Sequence, residues 1–293
     1  MPPNETTDPL GRALDQAVAG RADALEALLT RGSRLPGTRM NAELADAFAE
    51  ACRVRAGRAD AVAMAFARLT ADEAPGATSR EFLPVCGVLA LAARASADPK
   101  VRPRLVSELH ARADDLRYRV RDAVVEGLAR VGAVAGDALV GAVASWMDGY
   151  FHAAAVVRAL ESGAWLGAVR DADAVVARLD EGFALARDAS RAAWRWPGHK
   201  ALVEALGTTP AQAAAMLGAP VVDMLERWAH VGEPALREVV EQAVGSRKLR
   251  GRLGAEMERV AKALAASRPA PRNPDHDVGP TRDRSKSRRR SGR

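Results

Sequence analysis

The run SWMDGYFHAAAVV, from Ser145 to Val157, crowds Trp146, Asp148, Tyr150 and His152 together. A helix continuing through Gly149 would set Trp146 and Tyr150 on one face. Asp148 and His152 would share another at i,i+4 spacing, where a carboxylate and an imidazole meet. Trp146, Asp148 and His152 are therefore the candidate catalytic residues. The arrangement the sequence favours is plainer: Gly149 ends one helix before the next begins, and the aromatics pack between helices. RAAWRWPGHKALVEAL is a second aromatic cluster, in which Trp194 and Trp196 point to opposite sides, Pro197 opens a helix and His199 falls in its first turn. One packed and one partly exposed tryptophan are expected there. The two cysteines, Cys52 and Cys86, each sit in an apolar helical context and are expected as small buried hydrophobes.

No phosphate-binding GxxxxGK[ST], HExxH, cysteine cluster or GxSxG occurs. Asp275 to Asp277, DHD, has metal-binding residue types, but it lies in a segment with no surrounding apolar pattern and reads as incidental polarity. Neither metal nor cofactor is expected, and no motif states a reaction, so catalysis is not the expected task.

The elements that must position these residues follow from composition and pattern. At 293 residues and 48% hydrophobic content the chain can bury a large core. Isoleucine is absent and arginine far outnumbers lysine, which looks like the codon bias of a GC-rich genome and makes the arginine excess poor evidence of nucleic-acid binding. The N-terminus lacks the basic start and apolar core of a secretory signal. The longest uncharged run, Gly207 to Val222, falls short of the roughly 18 apolar residues of a membrane span. A cytoplasmic protein without membrane contact is expected.

Charge is unevenly placed. The last twelve residues, RDRSKSRRRSGR, carry seven basic side chains (Arg282, Arg284, Lys286, Arg288, Arg289, Arg290 and Arg293) and one acid, which accounts for the whole net charge of +6 and leaves the body neutral. With proline-rich RPAPRNPDHDV before it, residues 268–293 are expected as a disordered basic tail, residues 1–8 as a disordered N-terminus, and 9–267 as the folded body. The seven basic residues are candidate contacts for nucleic acid or an acidic partner.

Within the body, helix signals are nearly continuous. Asn41 and Ser79 stand as caps, Thr209 with Pro210 as a cap and first-turn pair, and short breaks recur at Gly and Pro. One signature repeats: AVVEGL from Ala123, AVVRAL from Ala155, AVVARL from Ala174, ALVEAL from Ala201, PVVDML from Pro220 and EVVEQAV from Glu238. In each, the first Val or Leu and the apolar residue four places on share a helical face. An all-α chain follows, and the irregular recurrence suits a degenerate solenoid.

The stretch DDLRYRVRDAVVEGLARVG gives this a family likeness. Asp115, Tyr118, Val120, Arg121, Ala123, Val124 and Leu128, closed by Val131 and Gly132, resemble the second helix of a HEAT repeat, and DPKVRPRLVSEL from Asp98 echoes it. Pro103 falls inside that echo, so its helix either bends or starts later. The resemblance, best over residues 80–165, implies a right-handed α-solenoid of HEAT-like antiparallel helix pairs, with residues 9–70 as a divergent capping region. It further implies Asp115 as a cap or ladder acid, Arg121 as a ladder base and Asp98 and Arg102 as the neighbouring ladder pair. Arg117 and Arg119, off the apolar stripe, are candidate contacts to a partner or nucleic acid. The expected function is a non-catalytic scaffold for an unnamed protein partner.

HEAT-like repeats also build the bacterial alkylpurine DNA glycosylases, which set tryptophans and a carboxylate against the damaged nucleotide. Trp146 with Asp148, plus Trp194 or Trp196, supplies those residue types here. The spacing of the glycosylase residues is not matched, and a neutral body lacks their cationic cleft.

Overall fold

A computed structural model describes residues 8–268. The regular structure of these residues is helical throughout: α1 (Pro9–Val18), α2 (Asp23–Gly32), α3 (Ala42–Arg55), α4 (Gly57–Ala67), α5 (Phe82–Ala97), α6 (Arg102–His110), α7 (Tyr118–Ala135), α8 (Asp137–Ala142), α9 (Tyr150–Ala159), α10 (Gly163–Ala168), α11 (Ala172–Arg187), α12 (Pro197–Leu217), α13 (Ala219–Ala229), α14 (Pro234–Gly245), α15 (Arg247–Arg252) and α16 (Gly254–Ala266). Short 3-10 turns cover Ser79–Glu81, Ala144–Asp148 and Ala193–Arg195. The N-terminal segment before Asp8, and every basic residue of the expected tail from Arg282 to Arg293, lie outside the described residues. No described helix is long and apolar enough to cross a membrane.

The repeated signature marks the core. Its first position is buried in all six helices (Val124, Val156, Val175, Leu202, Val221, Val239), and so is the residue four places on (Leu128, Leu160, Leu179, Leu206, Leu225, Ala243). These stripes drive the packing, because each helix can remove its apolar face from water only against a neighbour. The principal contacts run along the chain, α3 and α4 on α5, α5 on α7, α7 on α9 and α10, α9 on α12, and α12 on α14.

Helix starts follow side-chain chemistry. Asp8 accepts from the Gly11 amide at 2.9 Å, Asn41 from Leu44 at 3.2 Å, and Asp171 from Asp173 and Ala174. Ser79 instead opens a 3-10 turn, and α5 begins at Phe82. Pro103 takes the second position of α6, where a missing amide costs nothing, so that helix starts later than the Val-Arg echo suggested. Thr209 and Pro210 do not start a helix at all: α12 runs through both, held by its packing on α9, α10, α11, α13 and α14. Three helix junctions share one backbone shape: Ala56 (φ 50, ψ −139), Gly136 (φ 53, ψ −128) and Gly218 (φ 75, ψ −136). They link α3 to α4, α7 to α8 and α12 to α13. Glycine relieves this conformation at two of the three.

Candidate functional site

Three chemically capable side chains converge from separate elements. His110 is the last residue of α6, Asp148 the last of the 3-10 turn Ala144–Asp148, and His152 sits in the first turn of α9. Asp148 bridges the imidazoles: one carboxylate oxygen lies 3.1 Å from His152 Nδ1 and the other 3.3 Å from His110 Nε2. The two rings stack with centroids 4.1 Å apart and planes inclined by 15°. Behind them Trp146, 2% exposed, turns its indole edgewise to His110 at 5.0 Å.

The local backbone explains the meeting. Gly149 is extended (φ −159, ψ 154), so the helix does not continue from Asp148 into α9. The separate-helix arrangement is the observed one, yet acid and imidazole still meet, because the carboxylate stands just ahead of α9 and His152 lies one turn in. A Cβ on Gly149 would come 3.0 Å from His152 Nδ1, so glycine leaves room for the nitrogen that faces Asp148. Trp146 and Tyr150 do not share a face: Trp146 is buried beside His110, and Tyr150 packs edge-on against His199 at 5.4 Å. His110 is the member that sequence reasoning missed. It precedes Asp148 by 38 residues in no motif, and only the packing of α6 near the 3-10 turn brings it there. One oxygen and two nitrogens, all within 4.8 Å of one another, can share protons or hold a cation.

The arginines and acids of the HEAT-like stretch are placed differently from expectation. Arg117 is buried, not a partner contact: its guanidinium donates to the carbonyls of Leu69, Thr70 and Ala74 and pairs with Asp115 at 2.7 Å. Arg119, with a side chain 11% exposed, pairs with Glu81 at 2.9 Å. Both are spent inside the fold because loop carbonyls and a buried carboxylate there need donors. Asp115 pairs with Arg117 rather than with a ladder arginine. Arg121 donates to the Asp115 carbonyl and lies 4.4 Å over the Phe151 ring. Asp98 accepts from the Lys100 amide, and Arg102 donates to the carbonyls of Ala95 and Ser96 at the end of α5, so these two do not pair with each other. The ion pairs that do link separate helices include Arg158–Asp122, Arg227–Asp180, Arg259–Asp223, Arg130–Asp46, Arg94–Asp60, Arg104–Asp60 and Arg55–Asp15.

A groove of about 670 Å³ opens between the first half of α12 and α14. Its walls are largely apolar, with Val203, Leu236 and Val239, and Trp194 stands at its edge. Glu204, Glu233 and Glu238 face it against one lysine, Lys200. Trp194 and Trp196 are both exposed, at 40% and 59%, so neither is the packed tryptophan expected of the pair. The 3-10 turn Ala193–Arg195 holds Trp194 at the surface and Trp196 follows it in extended backbone, while His199 takes the buried place, its Nε2 3.4 Å from the Ala186 carbonyl. Cys52 and Cys86 are both buried and free.

Compared with known proteins, the chain matches no family model, no curated protein and no solved structure.

Proposed function

We propose that the chain is a HEAT-like helical scaffold whose groove between α12 and α14 receives an extended apolar segment of a partner protein bearing basic residues. The groove carries the reading: it joins apolar walls and an exposed tryptophan to three carboxylates and a single lysine. That pairing of shape and charge selects cationic, partly apolar peptides and repels acidic ones.

The scaffold itself is supported by packing that runs from each helix to its near neighbours along the chain, the economy of a repeat solenoid. Arginine–carboxylate pairs such as Arg158–Asp122 and Arg259–Asp223 bridge partners 36 residues apart, about the length of one two-helix repeat. The basic tail supplies a second, salt-sensitive contact for nucleic acid or an acidic partner. Reading the site as a glycosylase pocket lacks support, because Trp146 is buried against His110 and has no free face for a base.

Fluorescence titration of the full chain with matched basic-apolar and acidic-apolar peptides tests the groove. The basic peptide should bind and the acidic one should not, Trp194→Ala should weaken binding, and Glu204→Lys with Glu238→Lys should invert the preference. Binding indifferent to peptide charge, or unchanged in both variants, overturns the groove assignment. A nucleic-acid titration of the full chain, with the seven tail cations present or changed to serine, tests the tail at two salt concentrations. Affinity that survives their loss overturns that part.

A further inference from the structure

We propose that His110, Asp148 and His152 form a binding site for a divalent transition-metal ion of the zinc class. The donor set is two imidazole nitrogens and one carboxylate oxygen, borderline ligands that suit Zn²⁺, Co²⁺ or Ni²⁺ and not the all-oxygen shells of Mg²⁺ or Ca²⁺. Bonds of about 2.0–2.1 Å at tetrahedral angles hold ligand atoms about 3.3 Å apart. The two edges that meet at Asp148 Oδ1 already measure 3.1 Å to His152 Nδ1 and 3.4 Å to His110 Nε2.

The third edge, between the nitrogens, is the one that must adjust. Imidazole lone pairs lie in the ring plane, and the planes here are nearly parallel at 4.1 Å, so a shared ion requires one ring to swing out of the stack. His110 is the ring with room to do so: its side chain is 30% exposed, against 16% for His152, and it ends its helix. Asp148, 51% exposed, leaves the site open to solvent. Three protein ligands then leave a fourth position for water.

Residue choice argues for a ligand rather than an ordinary ion pair. In a chain with 43 Lys and Arg and five His, an exposed carboxylate finds arginine by default, as Asp122, Asp180 and Asp223 do. Asp148 instead faces two of the five histidines, whose ring nitrogens can ligate a metal as no guanidinium can. Gly149 adds a second argument, since a side chain there would crowd the nitrogen that ligation needs.

The full chain, stripped with chelator and carrying His276→Ala to remove the histidine of the tail's Asp275–Asp277 run, should be titrated with Zn²⁺ by calorimetry and with Co²⁺ by visible absorption. One equivalent should bind, with tetrahedral cobalt bands and a rise in Tm that chelator reverses. Asp148→Asn, which keeps the side-chain shape at an exposed position, should weaken binding by more than about tenfold, as should His110→Ala. Circular dichroism of each apo variant should match the parent, so that lost binding is read on folded protein. Failure of the parent to take up Zn²⁺ at micromolar concentration overturns the site, as does uptake that Asp148→Asn and His110→Ala both leave unchanged, or equal uptake of Mg²⁺.

Discussion

Arg94 Nε donates to Asp60 Oδ1 across 2.9 Å, and both side chains are withdrawn from water between α4 and α5. The charges compensate each other in a place where either alone would be severely penalised. Asp60→Ala is therefore expected to cost about 3–5 kcal/mol, because it leaves the buried Arg94 guanidinium only the longer pairing with Asp98 at 3.7 Å. Asp60→Leu combined with Arg94→Met should recover most of that loss. Urea denaturation of the single and double variants measures both, and a double variant as unstable as the single would show that the pair stabilises beyond mutual neutralisation.

Arg117 and Asp115 form a second such unit, with a pH signature. Burial pushes the Asp115 carboxyl up, but hydrogen bonds from the Arg117 side chain and backbone, and the positive charges of Arg117 and Arg112, hold it below the usual carboxylate range. A folded value below the unfolded one stabilises the protein above the ordinary aspartate pKa of about 3.9, and the contribution fades as pH falls through the lower folded value. Arg117→Ala should remove that contribution, present at neutral pH, and leave the carbonyls of Leu69, Thr70 and Ala74 short of a donor, for a loss of about 3 kcal/mol at neutral pH. Arg117→Lys should recover little, since one ammonium cannot span the positions the planar fork reaches. Thermal melts from pH 3 to pH 7 distinguish these outcomes.

The cysteines predict the opposite end of the pH scale. Burial raises the Cys52 thiol to about 12, with Asp60 adding to the rise and Arg55 opposing it, and burial likewise pushes Cys86 well up. Native protein at pH 8 should resist a thiol-specific disulfide reagent, and urea should release two equivalents. A folded thiol pKa above the unfolded one stabilises the fold below about pH 8.5, an advantage lost as pH climbs toward 12. Rapid native labelling at pH 8 would contradict the burial of both.

Helix identity and core face were legible because they follow from nearest-neighbour chemistry. The paired positions Val124 and Leu128, or Val221 and Leu225, are buried as their four-residue spacing requires. Gly132 was legible only in part: it looks like the close of a helix, but α7 runs on to Ala135. Gly132 is small because Trp165 lies on it, a Cβ there falling 2.1 Å from the indole. The carbonyl partners of Arg117 were hidden for the same reason, since they lie on a loop more than 40 residues earlier. Asp148 and His152 could be paired from their local spacing, whereas His110 could not, because no local pattern encodes which helix end folds back onto a 3-10 turn. The groove was equally hidden, being a product of how α12 and α14 pack together and not of either helix alone.

Thr209 offers a final test, where stability and sequence expectation part. Its position before Pro210 suggests a helix cap, but it lies fully buried in the middle of α12, and its hydroxyl has no hydrogen-bond partner. A buried hydroxyl loses its water without replacement, which costs about 1–3 kcal/mol. Valine has nearly the same shape and the same branching at Cβ, so it fills the space without straining the helix. Thr209→Val is expected to raise unfolding stability by about 1 kcal/mol, with the shift in the urea midpoint unaccompanied by a change in slope. A loss of stability would mean that the hydroxyl finds a partner in solution, the obvious acceptor being the Leu206 carbonyl, which Pro210 leaves without its usual donor.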